Sequence, residues 1–77
     1  MNKQRRKRLD IVNQKLLELM NELEDIKNEE EEAFDNLPES IQESERGEQM
    51  SENCDTLDDW IDTIGEMSTD IEFMIGG

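Results

Sequence analysis

Apolar residues recur through the first half of the chain at Leu9, Val12, Leu16, Leu19, Leu23 and Ile26, in steps of three and four. Ala33 and Leu37 continue the series across Glu30. Such stepping puts them on one stripe of an α-helix. As heptads, Leu9, Leu16 and Leu23 take position a, and Val12, Leu19, Ile26 and Ala33 position d. The second half repeats the device with Met50, Cys54, Leu57, Ile61, Ile64, Ser68, Ile71 and Ile75. Each run reaches the three to four heptads that warrant a coiled-coil reading. Met20 and Phe34 flank the first seam, and Trp60, Met67 and Met74 recur beside the second. Seams so widened suit a bundle better than a two-stranded coil. The Trp60, Met67 and Met74 stripe reads as core, although Met also suits adaptable binding surfaces.

Between the runs lies Asp35-Asn36-Leu37-Pro38-Glu39-Ser40. Pro38 ends one helix or begins the next. Asn36 with Glu39 reads as a capping box. The expected elements are a helix over about 4–35, a turn at 36–38 and a helix over about 38–74, with Gly76-Gly77 as a frayed end. The expected fold class is all-α: an antiparallel two-helix hairpin, coiled-coil-like, dimerising into a four-helix bundle. Folding about Leu37 pairs Leu23 with Met50, Leu19 with Cys54, Leu16 with Leu57, Val12 with Ile61 and Leu9 with Ile64. Gly47 then faces Ile26, and Glu30 falls near Glu43 and Ser44. Ile71, Met74 and Ile75 are left without an apolar partner in the chain. Together with Trp60 and Met67 they form the surface expected to meet a second copy.

Charge changes this picture. Asp and Glu number 22 against 8 Lys and Arg, a net charge of −14. Five of the cations are Lys3, Arg5, Arg6, Lys7 and Arg8, so residues 9–77 carry 3 cations against 22 acids, or −19. A body this acidic repels nucleic acid and anionic membrane and attracts basic protein surfaces. The basic arm at residues 1–8 has three readings: contact with nucleic acid, neutralisation of the chain's own acids, or a solubilising tail. The acidic body makes the first the weakest. With 32% apolar residues the composition approaches that of disordered chains, so order depends on where the few apolar residues sit. Self-association then adds what a small core lacks.

Histidine is absent and Cys54 is the single cysteine, so no internal disulfide forms and a reducing, cytoplasmic setting is expected. Cys54 reads as a small buried hydrophobe. The basic start is not followed by an apolar signal region, because Asp10, Asn13, Gln14 and Lys15 interrupt it. No catalytic constellation, EF-hand spacing or phosphate loop is present, and no enzyme, cofactor or metal is expected.

The acids themselves are ordered. Glu45, Glu48, Glu52, Asp55, Asp59, Asp62 and Glu66 follow at steps of three and four, with no Lys or Arg on the stripe. Glu18, Glu22, Asp25, Glu29 and Glu32 form a second stripe in the first helix. Neighbouring carboxylates on one helix face lie roughly 5–6 Å apart at Cβ, similar to phosphate spacing along a nucleic-acid strand, and their repulsion costs a few tenths of a kcal/mol per pair. The second helix also uses Asp, a poor helix former, at 55, 58, 59, 62 and 70. Both stripes are candidate partner-binding surfaces.

The segment Ala33-Phe34-Asp35-Asn36-Leu37-Pro38-Glu39-Ser40, with Gln42-Glu43-Ser44-Glu45-Arg46-Gly47-Glu48 and the start Met1–Leu9, resembles small uncharacterised acidic helical-hairpin proteins of Gram-positive bacteria and their phages. The resemblance implies a bacterial host cell and carries no functional residue with it. Small acidic phage proteins, several anti-CRISPR proteins among them, are similar in size and charge. The expected function is therefore a phage-type inhibitor, similar in kind to anti-CRISPR proteins, that binds a basic nucleic-acid-binding surface, such as a nuclease's, as a DNA mimic. The rival reading is a structural self-assembling coiled-coil module whose acids only confer solubility.

Overall fold

A computed structural model describes residues 1–76. They form α1 (Lys3–Asp35), α2 (Glu39–Gln42) and α3 (Glu45–Gly76). The Cα body is 58 Å long and 14 by 13 Å across. Of the Gly76-Gly77 end expected to fray, Gly76 is the last residue of α3, and Gly77 lies outside the described residues.

Asn2 opens α1, its side-chain oxygen accepting from the Arg5 amide at 2.8 Å. The basic segment Lys3–Arg8 is thus the first turns of a helix. No acid lies in the first turn of α1 and no base in its last. Cations at the N-terminus and acids at the C-terminus both oppose the helix dipole, so α1 owes its order to packing.

The connection is longer than expected. Asn36 caps the C-terminus of α1 and Pro38 precedes α2 without a side-chain cap, so the expected Asn36–Glu39 capping box does not form. The second long helix begins at Glu45 rather than near 38, because one turn of helix, α2, is interposed. Gln42 Nε2 donates to the Phe34 carbonyl at 2.9 Å, tying α2 back onto the end of α1. Ser44 donates its hydroxyl to the Ile41 carbonyl at 2.5 Å, and its own carbonyl accepts from the Glu48 amide at 3.0 Å.

Contacts between α1 and α3 descend in one as they ascend in the other. Ser68 Oγ donates to Asn13 Oδ1 at 2.6 Å, Asn53 Nδ2 approaches Glu30 Oε2 at 3.4 Å, and Lys27 pairs with Asp58 at 2.6 Å. The layers expected from folding about Leu37 are all displaced, by roughly two to three helical turns. Asn13 lies level with Ser68, and Glu30 lies beside Asn53 rather than Glu43 and Ser44. The cause is the longer connection, which carries the start of α3 past the expected pivot.

The seam of α3 is the expected one, buried or half-buried from Met50 and Cys54 through Ile75. That of α1 is not. Leu9, Leu16 and Leu23 face inward, but their companions are Asn13, Met20, Lys27 and Phe34. Val12, Leu19 and Ile26 are 44%, 49% and 50% exposed. The core is thin: among the described residues Cys54 is the one buried apolar side chain. Gly65 faces Met20 with room to spare, since a Cβ there would meet Met20 Sδ at 3.9 Å. Gly65→Ala is expected to stabilise the chain by about 1 kcal/mol, through helix propensity alone. Thermal melts should show a rise of a few degrees, and a fall would contradict the packing.

Candidate functional site

The acidic stripe of α3 is exposed along its whole length, from Glu45 and Glu48 through Glu52, Asp55, Asp59 and Asp62 to Glu66. Glu18, Glu22, Asp25, Glu29 and Glu32 of α1 are exposed as well. The structure does not bring the two stripes together. At about 100° per residue each points away from its own seam, so they occupy opposite outer flanks of the helix pair. Both ion pairs among the described residues belong to Lys27, with Asp58 at 2.6 Å and Glu31 at 3.8 Å. The stripe carboxylates therefore stand uncompensated, and neither the basic turns Lys3–Arg8 nor Arg46 pairs with an acid of α3. The hydrogen bond that Lys27 donates to Asp58 holds its ammonium above the ordinary range, so Lys27 keeps its charge at neutral pH and loses it only in strong alkali.

The expected self-association residues divide. Ile71 and Ile75 are half-buried in the seam, because the displaced register gives them α1 to pack on. The apolar tip without an intrachain partner is thus corrected. Trp60, Met67 and Met74 are not core: they are 54%, 48% and 54% exposed. Phe73 stands out at 78%, on the acidic side of α3.

A surface of which the sequence reading named only the α3 half emerges from these corrections. Val12, Leu19 and Ile26 flank the Leu9, Leu16 and Leu23 column, on the side away from Met20. Trp60, Met67 and Met74 flank the Leu57, Ile64 and Ile71 column. Two right-handed helices running in opposite directions bring these columns to the same side of the pair. Accordingly Leu9, Val12 and Met74 line one cleft, rimmed by Arg5, Arg8 and Lys15. Met20 opens on the other side, with Gly65, Asp62 and Glu66. The signal was present as a third apolar column in each helix, one more than a two-helix seam can use.

Cys54 is buried, and burial first, then Glu31, Glu30 and Asp55, push its thiol above the ordinary range. A thiol neutral at pH 7 and shielded is a poor nucleophile. Because the folded state disfavours the thiolate, its contribution to stability is full below the ordinary thiol pKa of 9.0 and is lost as pH rises through the raised pKa. Urea melts should show an alkaline loss of stability that Cys54→Ala reduces; an unchanged loss would assign it to Lys27 alone.

Among the described residues no group of three or more Cys, Asp or Glu side chains is placed to hold a metal ion. No described helix is long and apolar enough to cross a membrane. No family model, curated protein or solved structure matches the chain.

Proposed function

We propose that this chain is an acidic protein inhibitor of phage type, which binds a basic nucleic-acid-binding surface of a host protein in the bacterial cytoplasm. The two-helix hairpin, paired with a second copy as a four-helix bundle, is its rigid frame. The single observation that supports this most is the α3 stripe, seven exposed carboxylates from Glu45 to Glu66 with no cation among them. A chain selected only to fold would dilute such a row, since each like-charged neighbour costs a few tenths of a kcal/mol. Occlusion of a cleft built for DNA is the whole mechanism, and no catalytic step is invoked. Association driven by this row is fast and weakens with salt.

The rival reading, a structural self-assembling module, is favoured by a different observation, the exposed apolar face of Val12, Leu19, Ile26, Trp60, Met67 and Met74. A pull-down of the tagged chain from host lysate at low and high salt separates the two. Recovery of a nucleic-acid-binding protein at low salt, released at high salt, supports the inhibitor. Recovery of the chain alone at both salts supports the module.

A further inference from the structure

We infer that a second copy of this chain covers the apolar face in an antiparallel two-fold arrangement centred on Leu19, with the two chain returns at opposite ends. The inference deepens the four-helix-bundle part of the reading above and rests on it; it does not depend on the identity of any target.

Area is the first argument. The chain exposes 5934 Å², where a compact monomer of its 9.1 kDa exposes about 4,900 Å². The excess is about 1,000 Å². The apolar face runs from Arg5 to Ala33, roughly 40 Å by a helix-pair width of roughly 20 Å. That is about 800 Å² per copy, the size of a standard interface.

Charge selects the arrangement. The α1 residues bordering the face on its outer side are Arg8, Lys15, Glu22 and Glu29, one per heptad, all exposed. Two cations are followed by two acids. A two-fold axis at Leu19 sets Val12 against the second copy's Ile26 and Leu19 against its own equivalent. The same operation brings Arg8 opposite Glu29 and Lys15 opposite Glu22, so every border charge meets its opposite. The corresponding border of α3 holds Gln49, Thr56, Thr63 and Asp70, a single acid in four positions. With the axis level with Ile64, Asp70 of each copy falls near Thr56 of the other, so the α3 borders bring no two acids together. The parallel alternative would set the four α1 border charges against a border with one acid, leaving Glu22 and Glu29 without a cation, and stack two acid-rich returns side by side. The antiparallel one also places cationic first turns near the partner's acidic last turns, which relieves the opposition of α1 to its own dipole.

One consequence reaches the acidic stripes. Glu22 and Glu29 become partly neutralised. The α3 stripes of both copies, leaning away from the interface, come to one side of the bundle as two rows of opposite direction. Two antiparallel rows of anions reproduce the polarity of a DNA duplex, which one chain alone does not.

Sedimentation of the full chain, with oxidative crosslinking of Leu19→Cys in a Cys54→Ala background, tests this. Leu19 is exposed, so the new cysteine leaves the fold intact. A dimer that crosslinks through residue 19 is the expected result. Arg8→Glu with Lys15→Glu should weaken dimerisation roughly tenfold or more at low salt, and adding Glu22→Lys with Glu29→Lys should restore it. A chain that stays monomeric at high concentration overturns the bundle and this arrangement together. A dimer that neither crosslinks at 19 nor responds to the charge reversals overturns the arrangement and leaves the bundle standing.

Discussion

Gly47→Ala is expected to lower the melting temperature by roughly 8–16 °C, at about 4–8 °C per kcal/mol for a domain of this size. Gly47 is buried where the first turn of α3 closes on the end of α2. A Cβ there would sit 2.6 Å from Gln42 Cα and closer still to its carbonyl. Backbone cannot yield as a side-chain tip does, so α2 must shift and loosen the Gln42 bond to the Phe34 carbonyl. Overpacking of this kind costs about 3 kcal/mol, against about 1 kcal/mol gained in helix propensity. Sequence alone had set Gly47 against Ile26; its close neighbour is instead the chain's own return. Gly65→Ala makes the same chemical change eighteen residues on in the same helix and serves as the control. If both variants melted higher than the parent at equal concentration, the tight return would be wrong.

Reversing four charges of the α3 stripe is expected to abolish capture of basic proteins while preserving the fold. Asp55→Lys, Asp59→Lys, Asp62→Lys and Glu66→Lys together change the net charge from −14 to −6. All four positions are exposed and without ion-pair partners. Lys is also a better helix former than Asp, so loss of binding could not be ascribed to unfolding. If each carboxylate contributes about 1 kcal/mol at a basic surface and its reversal turns attraction into repulsion, affinity falls by about a hundredfold or more. Circular dichroism should show retained helix, and low-salt pull-downs should lose the basic protein. Undiminished capture would remove the acids from the mechanism and direct attention to the apolar face or Phe73.

The α3 seam was legible because its inward columns are also its most regularly apolar ones, from Met50 to Ile75. The acidic stripes were legible as exposed for the converse reason. In α1 hydrophobicity misled. Val12, Leu19, Ile26 and Ala33 make a more apolar column than Asn13, Met20, Lys27 and Phe34, yet the latter faces α3. The mixed column is viable because its polar members find partners: Asn13 has Ser68 and Lys27 has Asp58. Such partners are set by register, and register depended on α2, a single turn too short to carry a periodic signal. The same error hid the α1 half of the apolar face, because Val12, Leu19 and Ile26 had already been assigned to the interior.

The buried bond between Asn13 and Ser68 spans 55 residues of chain. Formed first, it would cost about 3–4 kcal/mol in loop closure. The order of assembly therefore runs from the return outward, through Glu30 and Asn53, with Asn13 and Ser68 nearly last. What closes last opens first. The end that frays is also the end that carries Lys3, Arg5, Arg6, Lys7 and Arg8. Each partial opening thus moves a cationic peptide away from the anionic body, and a molecule of net charge −14 becomes, for that moment, two segments of opposite sign held by one chain.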